Sequence, residues 1–93
     1  MKSSRQNITI KISGNLHETG MRFSAMHEAY KAGLNGIAKY LEDGAVYIEV
    51  EGYTEHVERF KSWCLKIAKK YDNRKIEINP DKIKGYTEFN IID

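Results

Sequence analysis

Isoleucines at positions 8, 10 and 12 alternate with Thr9, Lys11 and Ser13, and this period of two predicts a strand over residues 7–13 with one buried face. Across residues 20–32 the period changes. Met21, Ala25, Ala29 and Ala32 recur at spacings of three and four, the stripe of a helix packed on one side. Gly33 and then Leu34 supply the glycine and the following apolar residue that close many helices. Residues 35–41 read as a second strand and Asp43-Gly44 as a hairpin turn. A third strand follows over residues 45–51, with Val46, Ile48 and Val50 facing in and Tyr47, Glu49 and Glu51 facing out. Gly52 is expected to break it, and Thr54 to cap a second helix reaching about Tyr71. Val57, Phe60, Cys64, Ile67, Ala68 and Tyr71 form that helix's apolar stripe, and Lys61, Lys66, Lys69 and Lys70 suit its solvated side and C-terminal end. Residues 74–79 give a fourth strand through Ile76 and Ile78, which Pro80 ends or marks as an edge. A closing strand is expected over residues 87–92.

The order is β-α-β-β-α-β with one further strand doubled back. It predicts an α+β protein of ferredoxin-like plan, a mainly antiparallel sheet carrying two helices on one face. The other face is then solvated or open to a protein partner. Residues 1–6 are polar and expected to be flexible, and residues 7–93 to form one domain.

Composition narrows the function classes. Net charge is only +2, from 15 basic and 13 acidic residues, without the basic stripe of a nucleic-acid binder. Tyr40, Tyr47, Tyr53 and Tyr86 are candidate outward rings for base stacking, but Glu49 and Glu51 share the face of Tyr47, so no nucleic-acid partner is expected. The one cysteine, Cys64, cannot form an internal disulfide, which fits a reducing, cytoplasmic setting. Residues 1–7 are not followed by an apolar run, so neither a signal peptide nor a membrane span is expected.

The stretch between the first strand and the first helix carries the candidate chemistry. Gly14 and Gly20 bracket it, Thr19 stands where a helix N-cap is expected, and Arg22 lies just inside the helix. A tight loop turns backbone N–H groups inward, a helix's first turn adds unpaired donors, and an arginine offers a planar fork matched to phosphate oxygens. Leu16, His17, Glu18, Thr19, Gly20, Met21 and Arg22 are therefore the candidate phosphate-binding residues. Glu18 puts a negative charge in the middle of the same loop.

Over nearly its whole length the chain resembles the acylphosphatases, small hydrolases of the carboxyl-phosphate bond. Their first signature, G-x-V-Q-G-V-G-F-R, is met here by Gly14-Asn15-Leu16-His17-Glu18-Thr19-Gly20-Met21-Arg22, in which Gly14, Gly20 and Arg22 agree. Their second, G-L-x-G-x-V-x-N-x-x-D-G, is met by residues 33–44, with Gly33, Leu34, Gly36, Asp43 and Gly44 in place. Val57, Phe60 and Trp63 follow the family's second-helix pattern. The resemblance implies that the loop N–H groups and Arg22 hold a phosphate, and that no metal or cofactor takes part. It also implies that the second-strand position held by Tyr40 is the one that orients the attacking water. The family has asparagine there, and a phenol differs in length and geometry from a carboxamide. Losing one preorganised polar group at a reacting centre costs ~10²–10³ in rate. Glu18 stands where the family has glycine, and an inward carboxylate ~4 Å from a phosphate charge is repelled by about 4 kcal/mol at an effective dielectric near 20.

The expected protein is thus an acylphosphatase-like chain with Arg22 and Tyr40 at the catalytic positions and hydrolysis weak or lost. An active acylphosphatase and a non-catalytic anion-binding or protein-interaction module are the alternatives. An Arg22–Glu18 pair closing the loop is a further expectation. His17 reads as a solvated loop residue, and His27 and His56 as exposed on separate helices. Cys64 reads as core, and no Cys/His spacing of a zinc type occurs.

Overall fold

Why a sheet of alternating strands should bring residues 16, 22 and 40 together follows from strand order. A computed structural model describes residues 4–14, 16, 19–70 and 75–93. In chain order these form β1 (Arg5–Ile12), α1 (Met21–Ala32), β2 (Asn35–Tyr40), β3 (Val46–Tyr53), α2 (Thr54–Lys70), β4 (Ile76–Asp81) and β5 (Phe89–Ile92). The sheet order is β4-β1-β3-β2-β5. β1 pairs antiparallel with both β3 and β4, β2 antiparallel with β3, and β5 parallel with β2. This is the expected ferredoxin-like plan, with β3 inserted between the two strands that α1 joins.

Both helices pack on the face that carries Ile8, Ile10, Ile12, Val46, Ile48 and Val50. Met21, Ala25, Ala29 and Ala32 are all buried, and the three alanines let α1 lie close to the sheet. Val57, Phe60, Cys64 and Ala68 bury the facing side of α2, while Ile67 is half-buried. Burying a side chain such as Phe60 contributes about 1.5–3 kcal/mol. The C-terminus of α1 closes as the Gly33-Leu34 pair implies: the Leu34 N–H donates to Ala29 O at 2.9 Å and the Gly33 N–H to Tyr30 O at 3.1 Å.

Several boundaries differ from the sequence reading. β1 begins at Arg5, where Arg5 and Gln6 pair with Tyr53 and Gly52, so residues expected to be flexible belong to the sheet. Gly52 does not break β3, which runs on to Tyr53. A Cβ at position 52 would come within 2.6 Å of the Leu34 side chain, so glycine here makes room for a packed leucine. Thr54 is the first residue of α2 rather than its cap, and its N–H and hydroxyl both donate to Ser4 O. β4 includes Pro80, which an edge strand tolerates. β5 starts at Phe89, two residues late. Tyr71 and Arg74 lie outside the described residues.

The largest correction concerns the second face of the sheet. Glu49 and Glu51 do point away from the helices, yet they are only 4% and 1% exposed, and Asn7 beside them is fully buried. Residues 82–86 fold back across this part of the sheet and supply the partners. The face expected to be open is, at β1 and β3, covered by the chain itself.

Candidate functional site

Leu16 is buried, and its N–H donates to Gly44 O at 3.0 Å, hanging the loop on the β2–β3 turn. That turn is held in place because the Leu41 N–H donates to Ala45 O at 2.8 Å and Asp43 Oδ1 accepts from the Ala45 N–H at 3.0 Å. Three donors converge on Leu16 O: the Thr19 N–H at 3.2 Å, the Thr19 hydroxyl at 2.7 Å and the Tyr40 hydroxyl at 2.8 Å. Gly20, in the left-handed region at φ 70°, is the N-cap of α1 in place of the expected Thr19. Thr19 still serves the helix start, since its hydroxyl oxygen accepts from the Met21 N–H at 3.2 Å.

Arg22 occupies the second position of α1. Its guanidinium carbon sits 4.4 Å from the centroid of the Tyr40 ring and 5.8 Å from that of Phe23. Stacking of this kind contributes about 0.5–2 kcal/mol and fixes the plane of the fork. Nη1 donates to Asp93 Oδ1 at 2.9 Å and to Ile92 O at 3.4 Å. The Arg22 side chain is 18% exposed against 96% for Asp93, so water screens the ion pair and its worth is about 0–1 kcal/mol. Arg22 Nε is buried and has no hydrogen-bond partner among the described residues.

The fold therefore gathers Leu16, Thr19, Gly20, Met21, Arg22 and Tyr40 at one end of the sheet. His17 and Glu18 lie outside the described residues, and so does the Arg22–Glu18 pair. The carboxylate that Arg22 meets belongs to Asp93, which sequence reasoning missed. No local spacing signals a contact across 71 positions. It follows only once β5 is known to lie beside β2, bringing its end to the start of α1.

The remaining candidates lie elsewhere. His27 is exposed and lines a groove of about 420 Å³ with Phe23, Ser24, Glu28, Trp63 and Ile67. His56 is half-buried rather than exposed, edge-on to Tyr53 at 5.8 Å, with Nδ1 buried and unpartnered among the described residues. Cys64 is buried, and burial, followed by the charge of Glu28, pushes its thiol far above the usual range, so it is core and not a nucleophile. No group of three or more metal-ligating side chains occurs among the described residues. None of the described helices is long and apolar enough to cross a membrane. Each expected outward tyrosine has a neighbour of its own: Arg22 over Tyr40, Lys39 over Tyr47, Arg5 over Tyr53, and Glu49 on the Tyr86 hydroxyl.

Comparison with known proteins points to a family. The family model described as Acylphosphatase matches residues 8–91. An acylphosphatase of Lactiplantibacillus plantarum is 31% identical over 85 residues, covering 90% of this chain and 94% of that protein. Among solved structures, an acylphosphatase from Coxiella burnetii aligns with a TM-score of 0.80 at 17% identity over 95% of this chain and 93% of that one, a likeness of fold alone. Full-length HypF, in its phosphate- and nucleotide-bound form, aligns with all of this chain at a TM-score of 0.80 and 26% identity, though the match spans only 12% of HypF. With a looped strand–helix junction, a stacked arginine and a family match running from residue 8 to residue 91, the chain belongs to the acylphosphatase family.

Proposed function

We propose that this chain is a diverged acylphosphatase. It takes the phosphate of an acyl phosphate on Arg22 and the loop of residues 16–21, and hydrolyses the carboxyl-phosphate bond weakly or not at all. The observation that carries this reading is the position of Tyr40. It occupies the place to which the family resemblance gives a water-orienting asparagine, and its one hydroxyl proton goes to Leu16 O at 2.8 Å. With that proton committed, the hydroxyl cannot donate to a water, whereas a carboxamide both donates and accepts. The ring meanwhile supports the Arg22 guanidinium, so anion binding is retained while water activation is weakened. Glu18 in the loop adds a charge that opposes a phosphate dianion. The lone cysteine fits action in a reducing, cytoplasmic setting.

Hydrolysis of benzoyl phosphate tests the reading. The unmodified chain is expected to be slow, and Tyr40→Asn with Glu18→Gly to raise kcat/KM by ~10²-fold or more. A fast unmodified chain, or a correctly folded double variant no faster than its parent, overturns it. A second reading, anion binding without turnover, is favoured by the buried, unpartnered Arg22 Nε. It predicts phosphate binding measurable by calorimetry with no detectable hydrolysis in either form.

A further inference from the structure

Outside the candidate site, the most connected polar group among the described residues is the one sealed beneath residues 82–86. Glu51 Oε1 accepts from Asn7 Nδ2 at 2.9 Å and from the Lys84 N–H at 2.9 Å, and Glu51 Oε2 accepts from the Tyr86 N–H at 2.6 Å. Glu49 accepts from Asn7 Nδ2 at 2.9 Å, from the Tyr86 hydroxyl at 2.8 Å and from the Lys84 ammonium. Asp81, at the end of β4, holds the same ammonium at 2.7 Å. The covering segment itself has no regular structure, and Lys82, Ile83, Lys84 and Gly85 are all exposed. Little apolar burial therefore ties it down, and the two carboxylates anchor it together with Asp81 on Lys84 and with Asn35 Nδ2, which donates to Tyr86 O at 3.1 Å.

We propose that residues 82–86 form a strap latched over the sheet by Glu49 and by ionised Glu51, and that acid, acting on Glu51, releases it locally while the helices and central strands stay folded. This inference does not depend on whether the Arg22 site turns over. The reason lies in the donor count. Every contact that Glu51 makes with the strap is one in which the carboxylate accepts, and a protonated carboxyl turns one of those acceptors into a donor facing an N–H. The loss falls on the strap because the strap contributes the two N–H groups, whereas the strands keep their own ladder.

The groups around the latch set its direction. Burial pushes the Glu51 carboxyl up, but hydrogen bonds from the backbone of Lys84, from Asn7 and from the backbone of Tyr86 and Gly85 outweigh it, and the net position is below the ordinary carboxylate value. A folded-state value below the unfolded one means that the stabilisation is complete above the ordinary carboxylate range and is lost as pH falls through the folded value. Asp81 is likewise held low, by the Lys84 hydrogen bond first and the Lys82 backbone next, and Lys84 is held high by Asp81 and then Glu49. The Tyr86 hydroxyl, desolvated and bonded to Glu49, is pushed up to about 12. Tyr47, on β3 beside Glu49, is also raised, first by burial and then by that neighbour. None of these basic or phenolic groups therefore titrates on the acid side, and protonation of Glu51 drives the release.

Amide hydrogen exchange on the full chain, read by NMR from about pH 6 to about pH 3 and corrected for intrinsic rates, tests this. The Lys84 and Tyr86 amides are expected to lose protection by about tenfold or more while amides of β1 and β3 keep theirs. Glu51→Gln, which puts a fixed N–H₂ among the donors, is expected to show that low strap protection already at pH 6 and to remove its pH dependence. Strap protection constant across the range, or lost in step with β1 and β3, overturns the proposal. Should Glu51→Gln fail to fold, Tyr86→Phe removes only the hydroxyl bond to Glu49. It is expected to lower protection at residue 86 several-fold at pH 6, and unchanged protection there overturns the latch.

Discussion

Replacing Gly36 by alanine is expected to disable the fold at the strand that carries Tyr40. A Cβ built at position 36 lies 1.8 Å from the Glu49 carbonyl oxygen, 2.8 Å from its carbon and 3.0 Å from Val50 Cα. All three are backbone atoms of the neighbouring strand, so no side chain can swing aside. Reaching even a 3.0 Å contact requires β2 and β3 to part locally by at least 1.2 Å, the difference between 3.0 and 1.8 Å. Hydrogen bonds of ordinary length do not survive such a stretch. Overpacking costs about 1–3 kcal/mol, and each buried backbone group left without a partner about 1–3 kcal/mol more. With one such group the sum, roughly 2–6 kcal/mol, compares with a whole stability of about 5–15 kcal/mol for a domain, and a chain this small sits toward the lower end. Urea unfolding followed by far-ultraviolet circular dichroism is the assay. With a slope of about 1 kcal/mol per molar, the midpoint is expected to fall by several molar or the native baseline to vanish. Gly85→Ala is the control: φ there is +83°, but a Cβ meets nothing within 4 Å, so only the left-handed strain of about 1–2 kcal/mol applies. A Gly36→Ala chain that loses less than about 1 kcal/mol, or no more than Gly85→Ala, refutes the steric reasoning.

Two further outcomes follow from the site and the core. Arg22→Lys keeps the charge but loses the planar fork over Tyr40, so phosphate affinity by calorimetry is expected to drop about tenfold or more, with stability changed by about 1 kcal/mol or less. Cys64, buried and with its thiol pushed far up, is expected to be inert to a thiol reagent in the native chain and to react at once in denaturant, and rapid native labelling would count against its place in the core.

Periodicity reported the fold well because each element buries one side. The Met21-Ala25-Ala29-Ala32 stripe and the alternating isoleucines of β1 need no partner to be recognised. Gly52 misled because its role is steric, room for Leu34, and a strand glycine looks the same whether it breaks or packs. Glu49 and Glu51 misled more deeply. Charge at alternate positions reads as solvent, and their burial is decided by a segment more than thirty residues later that has no pattern of its own. At the site, Arg22 and the loop were legible as a local motif. What the local motif could not contain was the setting of Arg22, since Tyr40 and Asp93 reach it only through strand order.

The sheet order has a consequence for synthesis. The carbonyl and carboxylate that Arg22 grips belong to residues 92 and 93, some 70 positions later. As a ribosome delivers residues in order, the loop and α1 emerge early, followed by Tyr40. The guanidinium is steadied on its second side only after β5 has been made and has slotted in beside β2. A growing polypeptide thus carries its would-be anion grip half-set until residues 92 and 93 have emerged.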